Sequence, residues 1–154
     1  MNILLTAFEC NPLLGSEAGL GWSWVYSAVK TDQIEKIWVI TTPKNKDVDN
    51  KEDIAAFLKT QENTWKKVEF IYVDIPFYKA RLNNRIRYIF WQKKIIKTIH
   101  MICEKNRVDY IQHVTWASMT LPIYLYREKK ANIIYGPVGG GGAYTQCCQI
   151  AIDF

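Results

Sequence analysis

The sequence predicts an α/β fold, a Rossmann-like doubly wound parallel sheet, and three observations carry that expectation. Short β-rich runs, apolar at consecutive positions, alternate with longer helix-like stretches, the pattern of parallel strands buried on both faces. Two glycine-rich segments each follow such a run directly, at the carboxyl ends of strands where open α/β sheets bind ligands. Of 154 residues, 49% are hydrophobic and 23% charged, which suits a single ordered core rather than a disordered chain.

The first strand is expected within Asn2–Phe8. It leads through Glu9-Cys10-Asn11-Pro12 into Gly15-Ser16-Glu17-Ala18-Gly19-Leu20-Gly21, a glycine loop opening a helix over Gly21–Lys30. A second strand, Lys36–Thr41, precedes Pro43–Asn50, a polar segment of alternating charge and the one expected to be most flexible. Asn50 then caps a helix over Lys51–Gln61, whose first turn carries Glu52 and Asp53 to complement the helix dipole. A third strand, Val68–Val73, is followed by a long helix within Leu82–Lys105 and a fourth strand, Asp109–His113. A helix over Ala117–Lys130 and a fifth strand, Asn132–Tyr135, complete the series before Gly136-Pro137-Val138-Gly139-Gly140-Gly141-Gly142. The order β-α-β-α-β-α-β-α-β implies right-handed crossovers and helices on both faces. After Gly142 the residues are too few for another βα unit, so the chain reads as one domain that looks interrupted.

Composition narrows the class. No apolar run approaches the ~18 residues of a membrane span, and the N-terminus lacks the basic start and cleavage site of a secretory signal, so a cytoplasmic location is expected. Cys10, Cys103, Cys147 and Cys148 have no CxxC spacing, which suggests reduced thiols and no metal site. The net charge of +5 is uneven, with seven Lys or Arg and no Asp or Glu between Lys79 and Cys103.

Gly15, Gly19 and Gly21 could bring the backbone close to a phosphate or sugar-phosphate, with positive φ where required, at the N–H groups of the following helix. Alternatively they serve a tight turn and close helix–strand packing. Their GxxxGxG spacing is not the dinucleotide fingerprint, and Ile40-Thr41-Thr42-Pro43 lacks the acidic residue that grips a ribose. Gly21 is followed by Trp22 rather than Lys, which disfavours a P-loop.

Three segments together resemble the large retaining group of glycosyltransferases called family 4 or group 1. They are Asn2-Ile3-Leu4-Leu5 with Glu9-Cys10-Asn11-Pro12 and Gly15 to Trp24, then Gln112-His113-Val114-Thr115-Trp116, and finally Gly136-Pro137-Val138-Gly139-Gly140-Gly141. They occur in the family's order and span nearly the whole chain.

The resemblance implies the N-terminal, mainly acceptor-binding half of a GT-B fold, without the C-terminal domain that holds most contacts to the nucleotide-sugar donor. It implies transfer of a sugar from that donor to a glycan or lipid-linked hydroxyl acceptor with retention, no metal or other cofactor, and little activity for this piece alone. Glu9 and Glu17 show the family's E-x7-E spacing but lie in the wrong domain for it, and the match is read as coincidence. Gly15, Glu17, Gly19 and Gly21, with Gly139, Gly140 and Gly141, are the implied substrate-binding residues. His113 is the implied catalytic residue, hydrogen bonding the transferred sugar; a buried, internally bonded histidine explains it equally. Glu17 either orients a sugar hydroxyl or sits at a positive helix end.

Arg81–Lys97 mixes basic with large apolar residues. It reads either as a peripheral contact with anionic lipid at the inner membrane face or as an amphipathic helix with a solvated basic face. No recognition motif for nucleic acid accompanies it. The readings from other classes are a non-catalytic carbohydrate- or partner-binding module and an inactive truncated remnant.

Overall fold

A computed structural model describes residues 1–45, 48–61, 63–75, 83–118 and 120–138. Five strands, β1 (Asn2–Thr6), β2 (Lys36–Thr41), β3 (Val68–Tyr72), β4 (Tyr110–His113) and β5 (Asn132–Tyr135), form one all-parallel sheet in the order β3-β2-β1-β4-β5. Three helices connect them: α1 (Ser16–Lys30), α2 (Asn50–Lys59) and α3 (Asn84–Lys105). The architecture is the Rossmann-like α/β arrangement that the alternation predicts.

The pleat explains why these strands are apolar throughout. Leu4, Trp38, Ile40 and Ile111 point to one face, where they pack with Tyr88, Trp91, Ile95 and Ile99 of α3. Leu5, Ile37 and Val39 point to the other, against Trp22, Val25 and Val29 of α1 and Ile54 of α2. On that side Trp22 stacks on Trp65 with ring centroids 5.2 Å apart and meets Phe57 edge-on at 4.8 Å. Trp65 belongs to a 3-10 helix, Asn63–Lys67, that the sequence pattern does not announce.

Three boundaries differ from expectation. Helix α1 starts at Ser16, so Gly19 and Gly21 lie inside it rather than in a loop, and its first hydrogen bond runs from Gly19 N–H to Gly15 O at 3.1 Å. The cap of α2 is Asp49, whose carboxylate accepts from Glu52 N–H at 3.0 Å. Asn50 is buried and tied instead to Thr42 and Asn11. Among the described residues of the expected helix Ala117–Lys130 no α-helix forms, and the one helical piece there is a 3-10 turn, Leu125–Arg127. Pro122 lacks an N–H and clashes with a preceding helical turn. Ser118 is also drawn out of helical pairing, since its N–H donates to Tyr135 Oη at 2.7 Å and its carbonyl accepts from the same hydroxyl at 2.8 Å. In the segment after β2, Asn45 and Val48 form an antiparallel bridge.

The strand ends that position the candidate site are aligned by register. Thr6 pairs with Ile40 on one side and His113 on the other, and His113 pairs with Tyr135. The ladder continues one step beyond, with Ala7 N–H on Ile40 O at 2.9 Å and Val114 N–H on Thr6 O at 3.0 Å. Everything that follows β1, β2 and β4 therefore emerges at one edge.

Candidate functional site

At that carboxyl edge the chain leaves β1 as Ala7-Phe8-Glu9 and β4 as Val114-Thr115-Trp116, and α1 packs down onto both. Glycine is required for the approach. A Cβ on Gly21 would lie 2.3 Å from Glu9 O and 2.9 Å from Thr115 Cγ2, and one on Gly19 would lie 2.4 Å from Leu14 O. The two glycines therefore serve close packing, with helical φ, and not the positive φ of a ligand-wrapping loop. Gly15 stands at the N-cap with φ −89° and open space around its Cβ position.

With the helix held this close, the loops lock together. Glu9 N–H donates to Thr115 Oγ1 at 3.3 Å, and Trp116 N–H donates to Glu17 Oε2 at 3.0 Å. Trp116 itself has φ +59°, a strained setting for an aromatic residue. The third motif joins through β4, where Gly136 N–H donates to His113 O at 3.0 Å and Gln112 Nε2 donates to Gly136 O at 2.9 Å. Gly136 has φ +132°, which only glycine takes readily.

Beside Glu17 lies a second set of residues that sequence reasoning missed. Arg87, on the first turn of α3, is only 3% exposed, and its Nη1 donates to Asn45 Oδ1 at 2.6 Å and to Asn84 Oδ1 at 3.1 Å. Asn45 in turn donates from Nδ2 to Glu9 Oε1. The result is a directed chain from guanidinium to amide to carboxylate, which fixes the Asn45 amide orientation. Burial holds the Glu9 carboxyl above its ordinary value, with the Asn45 hydrogen bond pulling against that rise and the nearby Glu17 carboxylate adding to it. Burial likewise lowers Arg87, while the charges of Glu9 and Asp74 oppose the shift. Hydrogen bonding by the Trp116 indole joins that of Asn45 in drawing the Glu9 carboxyl down, while Arg87 Nε is buried and makes no hydrogen bond among the described residues. A perturbed carboxyl and a strained backbone at the strand termini make this edge the candidate site.

His113 is placed differently from the other implied residues. It is fully buried, and both ring nitrogens are engaged: Nδ1 lies 2.8 Å from Thr6 Oγ1, and Nε2 lies 2.9 Å from Tyr88 Oη. Gln92 Nε2 donates to Tyr88 Oη at 3.0 Å, so the tyrosine hydroxyl has its proton free for His113 Nε2. That assigns the Nδ1–H tautomer, with Thr6 passing its own proton toward Gln112 O at 3.5 Å. The ring stacks on Tyr135 with centroids 5.7 Å apart and planes 6° from parallel. Burial lowers its pKa to about 3, so the ring is neutral at ordinary pH. His113 thus sits beneath the edge, holding β1, β4 and α3 together, and its nitrogens face protein rather than the site.

Gly139, Gly140 and Gly141 lie outside the described residues. Of the basic segment, Arg81 and Leu82 also lie outside them. Within α3, Arg87, Tyr88, Trp91, Gln92 and Ile95 face the core, whereas Arg85, Ile86, Phe90, Lys93, Lys94 and Lys97 are exposed. Lys94 Nζ donates to Asp74 O at 2.7 Å, and Lys93 Nζ stands 5.9 Å from the Tyr124 ring centroid. Cys10 and Cys103 are buried free thiols. No group of His, Cys, Asp and Glu among the described residues is arranged to hold a metal ion, and no helix among them is long and apolar enough to cross a membrane.

Fold and site together define the class: a Rossmann-like α/β chain with a carboxylate- and tryptophan-lined edge at the ends of β1, β2 and β4. Comparison with family models, curated proteins and solved structures finds no match for the chain.

Proposed function

We propose that this chain is the acceptor-binding, N-terminal part of a retaining glycosyltransferase that moves a sugar from a nucleotide-diphosphate donor to a hydroxyl acceptor. One observation carries the reading. The three segments that resemble the family, the first of them remote in sequence from the other two, are hydrogen bonded into one edge by the Glu17–Trp116, Glu9–Thr115 and His113–Gly136 contacts. Such an edge offers carboxylates and an indole, groups suited to sugar hydroxyls and ring faces. The donor's diphosphate charge would be met chiefly outside this chain, so the chain alone is expected to bind without appreciable turnover. The exposed face of α3 with Arg85, Ile86, Phe90 and Lys97 is the face this reading turns toward an anionic lipid surface carrying the acceptor.

Saturation-transfer NMR with methyl glycosides of glucose, mannose and galactose as acceptor analogues tests the reading. Transfer to the hexose ring protons of at least one of them, absent with glycerol, is expected. Absence of transfer to every hexose would overturn it.

A further inference from the structure

Among the described residues, only two that are not glycine have a backbone in the left-handed region, Ser16 at φ +54° and Trp116 at φ +59°. They stand at the two ends of one hydrogen bond, because Ser16 precedes Glu17, whose Oε2 accepts from Trp116 N–H at 3.0 Å. That conformation is costly for any side chain and most unusual for a bulky one. Its cost at two residues is of the same order as the gain from one bond between an amide and a carboxylate, so the arrangement is closely balanced.

Around this bond the chain is pinned. Thr115 is buried, with its Oγ1 accepting from Glu9 N–H at 3.3 Å, and Ser118 is held by Tyr135 Oη through both its N–H and its carbonyl. The Trp116 ring stacks on Tyr88 at 5.9 Å, meets Phe8 edge-on at 5.5 Å and hydrogen bonds through its indole to the Glu9 carboxyl. Rotation of the Thr115–Trp116 peptide plane between its two Cα atoms leaves all of these contacts in place. Half a turn takes Trp116 from φ +59° to about −120°, extended backbone open to every residue, and exchanges the directions of Trp116 N–H and Thr115 O. Glu17 then faces a carbonyl, which a carboxylate cannot satisfy and a protonated carboxyl can, by donating.

We propose that the Thr115–Trp116 peptide is a two-position switch set by the proton on Glu17. The carboxylate holds Trp116 N–H toward α1 and keeps Ser16 and Trp116 in the left-handed region. A proton taken up from solvent releases that N–H, turns Thr115 O toward the carboxylic acid and lets both residues relax. The backbone polarity at the centre of the candidate site reverses with it, whatever ligand the edge takes. The charged groups around Glu17 are Glu9 at the exit of β1 and, acting on Glu9, Arg87 of α3, while Val114–Ser118 carries no charge.

The test is NMR of the 15N,13C-labelled chain from about pH 7 to about pH 4, reading Trp116 φ from its amide-to-Hα coupling and the Glu17 carboxyl from its own carbon resonance. In the wild type and in E9Q, φ should pass from positive to extended together with the Glu17 titration. E17Q keeps an acceptor at every pH and should hold positive φ throughout. S16G takes the left-handed conformation without cost, which favours the held position and should lower the midpoint of the transition by about half a pH unit. Dispersion of the Ala7 and Gly136 resonances reports an intact fold at each pH. If the wild type unfolds in the acid range, E17A at neutral pH decides, since without an acceptor Trp116 should sit at extended φ. Positive φ persisting through the Glu17 titration, the same transition in E17Q, an unmoved midpoint in S16G, or positive φ in E17A would each overturn the switch.

Discussion

The carboxylate of Glu17, in the first turn of α1, accepts the backbone N–H of Trp116 beyond β4 at 3.0 Å and so clamps two loops ninety-nine residues apart in sequence. Glu17→Ala should strand a partly buried N–H, lowering stability by about 1–2 kcal/mol and speeding exchange of the Trp116 amide roughly tenfold. Glu17→Gln keeps an acceptor at the same place and should retain most of the protection. Native-state hydrogen exchange on the two variants measures the difference; equal exchange in both would remove the clamp from the account.

Gly21 is where α1 touches the β1 exit. Gly21→Ala should destabilise by about 1–3 kcal/mol through the clash with Glu9 O, even though alanine is favoured over glycine in a helix by about 1 kcal/mol. Gly15→Ala, with nothing within 4 Å of the added Cβ, should cost only the N-cap preference for glycine over alanine, about 0.5–1 kcal/mol. Urea midpoints of the pair check the contrast.

His113 carries a pH dependence whose sign follows from its burial. In the unfolded chain the imidazole takes a proton near pH 6.5, and in the fold only near pH 3. The unfolded state therefore binds more protons between those values, and stability should fall as pH drops through that window, by up to about 1.4 kcal/mol per pH unit. His113→Gln should lower stability at pH 7 and flatten this slope. Glu9, with its pKa held above the ordinary value, acts in the opposite sense, its destabilising charge being neutralised as pH falls. Urea unfolding at pH 7, 5.5 and 4.5 separates the two, and a wild-type slope surviving in the His113 variant would show that the ring is not kept neutral.

Asp49 caps α2 and pairs with Lys44 Nζ at 2.7 Å. Asp49→Ala should cost about 1 kcal/mol, whereas Asp49→Asn, which keeps the cap but not the charge, should cost only a few tenths. Thermal melts at low and high salt distinguish cap from ion pair, since only the ion pair is screened.

The strands were legible because burial on both faces leaves an unmistakable apolar run, and β2 and β5 fall at their expected limits. The start of α1 was legible too, though it was hidden by its glycines: Ala18, Gly21, Trp22, Val25, Ala28 and Val29 repeat at helical spacing from within the supposed loop. The helix expected after β4 fails at Pro122, a breaker whose effect a longer apolar pattern conceals. The chain from Arg87 through Asn45 to Glu9 left no local trace. Its members come from α3, the segment after β2 and the exit of β1, and only the sheet order brings them together. Glu9 and Glu17 come within electrostatic range of each other, one at the exit of β1 and the other in the first turn of α1.

Phe8 immediately precedes Glu9, and its ring lies edge-on to Tyr88 at 5.6 Å, Trp91 at 5.4 Å and Trp116 at 5.5 Å. An anchor of that size makes position 9 a fixed mount at the margin of the core. The head group there can be exchanged, acid for amide or alcohol, while the main chain that carries it stays put, so a change in ligand preference at position 9 can be read as chemistry rather than displacement.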